Sequence, residues 1–455
     1  MEEMNNFDQI YQLIINTKDY NNLHNLLKEY HPYDLAQAFK KFNLEERNIL
    51  YKYLPSEDIA DIFEYLDETE VVEYLNEMDV TRGASILNDM ETDDATDVIN
   101  EMDENDAINI INKMDRADKE ELNYLSTHRE DTAGSIMTTN YIQIEGDWDV
   151  KDAMKHLISE ANEAEIIDPL FVCSNNKLIG ILELKDLIIA RSPCKISSIM
   201  RSNYTYATTT DSVNDVAKII QNYDLHALPV IDNLDLVGVI TADDALDVIQ
   251  DEATDDYNKI ASIGNEIEGR YSVLKTLFSR LPWLIILLVL SLIISNVISA
   301  FEGIIKQVTV LVFFQTLILD MAGNIGTQSL AVTIRNISRG DLDQKGTIYK
   351  HFLKEIKITL INSILLGILA FIVCSIFLLI RNSTDYNIYL ISLVVSISMT
   401  IALILSGLLG AVLPILFYKI KIDPAVASGP FISTLNDLLS VVVYFSLAAL
   451  MLGLI

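Results

Sequence analysis

One acidic residue lies in a long apolar stretch near the end of this chain. Asp437 is the only charged residue between Pro424 and Ile455, among residues such as Leu438 and Val441. A carboxylate in the middle of a membrane span costs at least about 2.5–3.5 kcal/mol, so an acid there is a functional-site candidate. The stretch has no Lys or Arg to pair with it. Its partner is on another helix or is a mobile cation, and we expect the cation.

Charge divides the chain into two parts. The formal net charge is −32, yet acidic and basic residues nearly balance after residue 280. The first 280 residues are therefore strongly acidic, which excludes nucleic acid and anionic lipid as partners and favours cations. The cysteines are too far apart for a disulfide framework and suit a reducing cytosol. The histidines are scattered and no nucleophile motif accompanies them, so no enzyme is predicted.

The last third of the chain predicts a helical membrane domain, because its apolar stretches reach the ~20 residues needed to cross a bilayer. Five spans are expected, at 281–301, 306–335, 358–380, 386–418 and 425–455. Asp320 and Asp437 are the acids inside them. Basic residues follow the second and fourth spans, which predicts a cytoplasmic N-terminus and an external C-terminus. Five spans cannot be divided into two equal, symmetry-related halves within one chain. A pore would then most simply lie on the axis of a homodimer.

A twelve-residue repeat runs through the first 130 residues. Its units begin at Leu54-Pro55, Leu66-Asp67, Met78-Asp79, Met90-Glu91, Met102-Asp103 and Met114-Asp115. One unit is too short to bury its own apolar face, so the units must stack into an all-α superhelix. We predict that the residue after each Leu or Met is a helix N-cap.

A second repeat follows the first. Ser135-Ile136-Met137 recurs as Ser198-Ile199-Met200, and the run 178–182 with Asp186 recurs as 236–240 with Asp244. Strand-like runs at 170–173 and 227–231 alternate with helical stretches at 150–158 and 212–222, which predicts two copies of a small α/β module. Both copies resemble CBS domains, and the pair resembles the tandem CBS (Bateman) module.

In CBS domains, a Ser or Thr followed three residues later by Asp holds the ribose of an adenosine nucleotide such as ATP. Thr241 and Asp244 match this pattern in the second copy, whereas the first copy has Glu183 before Asp186. The same two residues would also form a helix N-cap after a strand. Both interpretations remain open at the level of sequence.

The whole chain resembles one family. The run 322–329 (AGNIGTQS) and the residues Asp423-Pro424-Ala425, Ser428-Gly429-Pro430 and Asp437 are similar to the signatures of the MgtE magnesium channels. The resemblance implies a homodimeric, Mg²⁺-selective channel that imports magnesium across a bacterial inner membrane. It implies an acidic superhelical N domain at 1–132, CBS domains at 133–196 and 197–254, a connecting or plug helix at 255–279 and a pore domain at 280–455. Gln315 replaces a Pro that is common in the family, so a milder kink is expected.

The resemblance places the central ion at Asp437, with one carboxylate from each protomer. Mg²⁺ keeps most of its water and is usually held through one or two carboxylates, which suits a sparse ring of oxygens. Asn324 and the carbonyls near Gly429 are expected beside this ion, and Asp423 at the cytoplasmic mouth. The other expected pore-lining residues are Gly323, Gly326, Thr327, Gln328 and Pro430. Helix packing and interhelical hydrogen bonds are the alternative roles of these small and polar residues.

The resemblance also implies closure by Mg²⁺ bound between the cytosolic domains. Asp93 and Asp97 are expected to face Asp244 and Asp247 across such an ion. Further metal-binding acids are expected towards the plug, at Glu252, Asp255 and Asp256. Bound divalent ions can reverse the repulsion between like charges, so high internal Mg²⁺ would draw the domains together and close the pore.

Two other functional classes fit parts of the pattern. In an ion-coupled carrier of Mg²⁺ or Co²⁺, Asp320 and Asp437 would form the coupled pair, and transport would stop when the coupling gradient collapses. In a non-transporting membrane sensor, the CBS pair would be the receptor and the spans an anchor. An anchor needs no intramembrane acid, which argues against the sensor.

Overall fold

The computed structural model describes residues 6–17, 22–129, 131–161, 164–261, 273–342, 344–381, 387–424 and 429–453. Their contacts divide the chain into two compact units, Met1–Asp251 and Glu252–Ile455. Each unit is described by itself.

Short helices form the first part of the N-terminal unit. They are α1 (Asn6–Asn16), α2 (Leu23–Leu27), α3 (Pro32–Phe39), α4 (Leu44–Tyr53), α5 (Ser56–Phe63), α6 (Glu68–Leu75), α7 (Val80–Asp89), α8 (Thr92–Glu101), α9 (Glu104–Ile111) and α10 (Arg116–Leu125). Helices two apart along the chain contact one another, as α3 contacts α5 and α7 contacts α9. This is the stacking that the repeat predicts, and it buries one continuous core that includes Phe39 and Phe63.

The repeat also sets where these helices begin. The predicted N-cap positions precede α5 to α10 and are Pro55, Asp67, Asp79, Glu91, Asp103 and Asp115. Of these six side chains, only those of Asp67 and Asp79 accept a hydrogen bond from a backbone N–H of the helix that follows. Asp79 accepts from the N–H of Thr81 at 3.0 Å and from that of Arg82 at 3.1 Å. The side chain of Glu91 makes no cap hydrogen bond.

The predicted CBS pair forms one six-stranded sheet with order β1-β2-β3-β6-β5-β4. The first copy contains β1 (Tyr141–Glu145), α11 (Val150–Glu160), β2 (Ile166–Ser174), β3 (Lys177–Leu182) and α12 (Leu184–Ile189). The second contains β4 (Ala207–Thr208), α13 (Val213–Tyr223), β5 (Ala227–Asp232), β6 (Asp235–Thr241) and α14 (Ala242–Ala261). Each copy has one parallel and one antiparallel pairing, and β3 meets β6 at the centre.

The Ser-Ile-Met repeat has a packing role in this sheet. A Cβ on Gly238 would lie 2.6 Å from the sulfur of Met137, and one on Gly180 would lie 2.8 Å from the sulfur of Met200. The methionine of each copy therefore packs on the strand glycine of the other copy.

The second unit is helical. Its helices are α15 (Val273–Ala300), α16 (Glu302–Gln307), α17 (Leu311–Ser338), α18 (Thr347–Ile380), α19 (Ile388–Lys419) and α20 (Gly429–Met451). Among the described residues, α18, α19, α20 and the segment Arg280–Ala300 of α15 are long and apolar enough to cross a membrane. The remaining predicted span, 306–335, corresponds to α17, which is 28 residues long and carries the polar signature around Asn324. Gln315 lies inside α17, and the short helix α16 was not predicted.

Part of the connecting segment is described. The connecting or plug helix is expected at 255–279, and α14 runs from the second CBS copy into this range as far as Ala261. The first membrane helix already begins at Val273. Residues 262–272 of the expected plug lie outside the described residues.

Candidate cation sites

Three carboxylates meet in the N-terminal unit. Glu91 and Asp93 lie at the start of α8, and Glu165 lies directly before β2. One carboxylate oxygen from each of the three lies within 4.8 Å of those of the other two. Asp93 is only 6 % exposed. Within the described part of the chain, one oxygen of Asp93 and one of Glu165 are buried without a hydrogen-bond partner. Buried oxygens of this kind are the ligands that a hard divalent cation prefers.

The electrostatics of this cluster disfavour the charged carboxylates. Burial and the charges of neighbouring acids raise the pKa of Glu91 to about 9, of Asp94 to about 8 and of Glu165 to about 7. Burial, followed by the charge of Asp244, raises the pKa of Asp93 well above its ordinary value. The groups must hold protons or a cation at neutral pH, because they cannot all be ionised together.

The expected regulatory residues are only partly brought together. The charge of Asp244 acts on Asp93. Asp97 is exposed on α8, where its charge acts on Asp94, and Asp247 is exposed one turn beyond Asp244 on α14. The charge of Asp244 thus reaches Asp93, whereas Asp97 and Asp247 lie at the exposed margin of the cluster.

Sequence reasoning missed Glu91, Glu165 and Asp94 as members of this site. Glu165 has no local motif, because it reaches α8 only through the packing of the CBS sheet on the superhelix. Glu91 does leave a signal. It is a Glu at a repeat position occupied by Asp or Pro in the other five units, and Glu is not a preferred N-cap residue.

A cavity of about 450 Å³ adjoins the cluster. It is lined by Glu91, Glu165, Ile166, Ile167, Asp168, His226, Thr241 and Asp243. The Thr241 hydroxyl donates to Asp244 Oδ2 at 2.6 Å, and it accepts the Asp244 N–H at 3.2 Å. Thr241 therefore has the cap role that the sequence allowed, and it faces the cavity as well.

In the membrane unit, Asp437 lies half-buried on α20. The charge of Asp320 on α17 acts on it, and no basic side chain of the described residues does so. Asp320, Asn324 and Gln328 follow one another at helical spacing and are exposed in the protomer. A polar stripe on α17 and an acid on α20 thus belong to two helices that pack together.

Other residues of the predicted pore lining are engaged in helix structure. Thr327 Oγ1 donates to the carbonyls of Gly323 and Asn324, both at 3.1 Å, so its hydroxyl is used within α17. Gly326 is buried, and a Cβ there would overlap the amide of Asn436. Helix packing explains Gly326, and we leave it out of the proposed lining. Gly429 and Pro430 begin α20 and are half-buried.

The residues expected at the cytoplasmic mouth also meet in this unit. Asp423 pairs with Lys259 at 2.7 Å, and the same ammonium lies 3.8 Å from Asp255. Asp256 accepts the Ser338 hydroxyl at 2.6 Å. Glu252 is exposed on α14.

A buried polar network that the sequence did not indicate joins α17 to α18. Ser329 donates to Glu355 Oε2 at 3.3 Å, and Thr333 Oγ1 lies 3.0 Å from His351 Nε2. All four side chains are buried. In the sequence, this network could have been recognised only from His351 and Glu355, which are four residues apart and therefore lie on one face of a helix.

Comparisons with known proteins agree with this architecture. The profile of the MgtE family, described as a divalent cation transporter, matches residues 315–447. The MgtE intracellular N domain matches 30–131, and CBS domains match 133–192 and 196–251.

Relatives extend over nearly the full chain. The magnesium transporter MgtE of Enterococcus faecalis is 36% identical over 99% of this chain and 99% of its own length. That of Bacillus subtilis is 35% identical over 93% of this chain and 92% of its own.

Two solved structures resemble the N-terminal part. One is the soluble part of a magnesium transporter, with 32% identity, a TM-score of 0.52 and coverage of 55% of this chain and 98% of its own. The other is the cytosolic domain of the Mg²⁺ channel MgtE in complex with ATP, with 29% identity, a TM-score of 0.50 and coverage of 53% and 99%. This chain belongs to the MgtE family of divalent cation transporters.

Proposed function

We propose that this multi-pass membrane protein is a Mg²⁺ channel that imports magnesium and is closed by Mg²⁺ on its cytosolic side. The observation that carries the proposal is the half-buried Asp437, on which no basic side chain of the described residues acts. An uncompensated acid inside a membrane domain marks an ion pathway. Relatives of this chain are named as magnesium transporters, which favours Mg²⁺ as the ion.

We propose that the pore forms in a homodimer. The stripe of Asp320, Asn324 and Gln328 is exposed in the protomer, where contact with lipid would leave polar groups unsatisfied. A second copy facing it would enclose the stripe and bring two Asp437 carboxylates to one axis. Such a sparse ring suits an ion that retains most of its hydration shell. Gly323, Thr327, Gly429 and Pro430 would line it through backbone oxygens and small surfaces.

We propose that cytosolic Mg²⁺ acts at the Glu91, Asp93 and Glu165 cluster together with Asp244. Binding would replace the protons on these desolvated carboxylates and cancel their mutual repulsion. We propose that this part of the chain lies in the cytoplasm of the bacterial cell, because the positions of the basic loops favour that orientation. Asp97, Asp247, Glu252, Asp255 and Asp256 are proposed to contribute the surrounding negative potential.

An Asp437→Ala variant tests the central site. We expect the purified variant in liposomes to lose Mg²⁺ uptake, measured with an internal Mg²⁺-sensitive dye, while remaining a folded dimer by size-exclusion chromatography. Removing the acid relieves an intramembrane charge and leaves no unpaired partner, so folding should survive. Normal uptake by the variant would exclude Asp437 as the ion site.

Asp320→Asn is the matched comparison that separates a channel from a carrier. A channel should retain most of its uptake in this variant and should conduct without a proton or sodium gradient. Loss of uptake in both variants, together with dependence on such a gradient, would favour the carrier. A protein that passes no divalent cation in any condition would be the membrane sensor.

An adenosine nucleotide is proposed as a second ligand of the cytosolic unit. The cavity beside Thr241 and the ATP-bound structure of a related cytosolic domain favour it. Calorimetric titration of the full-length protein with ATP should give binding heat that Thr241→Ala weakens and Thr241→Ser retains. The absence of heat at millimolar ATP would leave Thr241 as a helix cap only.

A further inference from the structure

One buried amide of the membrane unit has no hydrogen-bond partner. Asn436 on α20 is 1 % exposed, and neither polar atom of its side chain is bonded to another described residue. A buried amide without a partner destabilises a folded protein, whereas a leucine of similar branched shape has no polar group to leave unpaired. An amide at this position is therefore useful only if it finds a partner in another conformation of the protein.

Asn436 lies against one turn of α17. A Cβ on Gly326 would overlap the Asn436 amide nitrogen, so the absence of a side chain on Gly326 lets this amide reach the backbone of α17. In an α-helix, the N–H of residue 326 donates to the carbonyl of residue 322. The unpaired amide thus lies beside a backbone hydrogen bond of the helix that carries the polar stripe.

The carbonyls of this turn already have side-chain donors. Ser406 of α19 donates to the carbonyl of Ala322. The hydroxyl of Thr327 is shared between the carbonyls of Gly323 and Asn324, both at 3.1 Å. Side chains that bond helix carbonyls in this way weaken and bend the helix. If the turn opened, its carbonyls would still have donors within reach, as a helix break at membrane depth requires.

An open turn also needs an acceptor for the N–H groups that it releases. A carboxamide can present either its nitrogen or its oxygen to a neighbour. The oxygen of Asn436 is therefore an acceptor within reach of Gly326, and in the described part of the chain it has no other partner. Helices bend where a side chain enters their hydrogen-bond ladder, and Asn436 is placed to do so.

We propose that residues 322–327 of α17 form a hinge, and that Asn436 stabilises its open form by accepting a backbone N–H that opening releases. The hinge contains Asn324 and adjoins Gln328, so its opening would reshape the polar stripe; the link to ion passage rests on the proposed function. Asn436 is buried whereas the stripe is exposed. It therefore acts on the stripe through α17, as a positioning residue.

Hydrogen–deuterium exchange of the full-length protein in lipid nanodiscs tests the hinge. Mass spectrometry follows peptides that cover residues 322–330 in EDTA, because the other N–H groups of the turn exchange while the hinge is open. Asn436→Leu keeps a branched side chain and removes the acceptor, so these peptides should exchange about threefold to tenfold more slowly than in the wild type. The melting temperature of the variant should be equal to that of the wild type or higher, because the closed form no longer buries an unpaired amide.

Two further variants complete the design. Asn436→Ala also lacks the acceptor and has no bulk that could clash, so it should slow the exchange of the same peptides. Ser392→Ala removes another buried polar side chain that has no partner among the described residues. Because Ser392 lies about 20 Å from Ser406 along α19, this variant should leave the exchange of the hinge peptides unchanged.

Three results would overturn the proposal. They are unchanged exchange in both Asn436 variants, slower exchange that Ser392→Ala shares, and faster exchange with a lower melting temperature, which is what a residue that only packs the helices would give. Mg²⁺ uptake into liposomes should fall in Asn436→Leu by a factor similar to that of the exchange. The exchange itself does not depend on transport, so a wild type that passes no Mg²⁺ would refute the proposed function and leave this test of the hinge valid.

Discussion

Glu91 occupies a helix N-cap position of the repeat, but its side chain does not cap the helix. The equivalent Asp79 accepts two backbone N–H groups at the start of its helix, whereas Glu91 directs its carboxylate to Asp93 and Glu165. As a result, the N-terminus of α8 has no side-chain cap, and Glu91 is the third acid in a desolvated cluster. The proposed cation site would give this arrangement a function.

This interpretation predicts that Glu91→Gln stabilises the metal-free cytosolic unit. Because its pKa is raised to about 9, Glu91 must take up a proton on folding at neutral pH. The neutral amide avoids that cost, so the free energy of unfolding in EDTA should rise by about 1 kcal/mol or more. The additional stabilisation by Mg²⁺, expected at about 2.7 kcal/mol when the ion is at a hundredfold excess over its dissociation constant, should fall by at least half. Urea unfolding of the segment 1–251 at pH 7.5 measures both quantities.

Asp103→Asn is the control for this variant, because Asp103 holds the same place in the next repeat, is exposed and makes no cap hydrogen bond. Its effect should stay within about 0.5 kcal/mol in either condition. An equal response of the two variants to Mg²⁺ would remove Glu91 from the cation site.

At the scale of helices, the approach of α17 to α19 depends on paired glycines. A Cβ on Gly410 would overlap the carbonyl oxygen of Gly326, so the two backbones touch at this crossing. Ser406 Oγ, one turn away on α19, donates to the carbonyl of Ala322. The helix that carries the polar stripe is thereby held in a fixed position along α19.

Gly410→Ala should therefore destabilise the membrane unit. Overpacking of a close contact costs about 1–3 kcal/mol, which should lower the melting temperature of the purified protein in detergent by several degrees. Gly323→Ala is the control, since its Cβ would meet only Ser433 Oγ at 3.9 Å. Equal melting temperatures for the two variants would contradict the packing role of Gly410.

Helices and strands whose apolar residues recur at regular spacing could be predicted from the sequence. Contacts between elements that are distant along the chain could not. The twelve-residue repeat located the starts of α5 to α10, and the duplicated motif located β2, β3, β5 and β6 near their observed positions. The regular spacing of their buried apolar residues is a local property of the sequence, so these elements can be located without knowing the fold. Glu165 and Lys259 join their sites only through tertiary packing, which no local pattern records. The helix α14 continues past residue 254 to Ala261, because it has no residue there that ends a helix.

For the molecule as a whole, the acidic cluster predicts how stability depends on pH. The pKa values of Glu91, Asp94 and Glu165 are raised in the folded state, to about 9, 8 and 7. The folded state therefore binds more protons than the unfolded state above the ordinary carboxyl range, and its stability must fall as pH rises. The loss should proceed from about pH 4.5 to about pH 9, where the last of these groups ionises.

The expected result is a lower melting temperature of the segment 1–251 in EDTA at pH 8.5 than at pH 6. Millimolar Mg²⁺ should reduce this difference, because the ion replaces protons and binds more tightly as pH rises. A metal-free stability that is constant or increases over this range would show that these carboxylates have another source of compensation. Glu91→Gln should reduce the dependence on pH in the same experiment.

Met137 packs on Gly238 and Met200 packs on Gly180, and this reciprocal packing limits how the two CBS copies can change in evolution. Neither copy carries both halves of its own contact, so a gene that lost one copy would leave the other with an unfilled groove and an exposed methionine. A larger residue at either glycine would need a shorter residue at the methionine of the opposite copy. The two copies are therefore bound to evolve as one module, even though each is a complete repeat in the sequence.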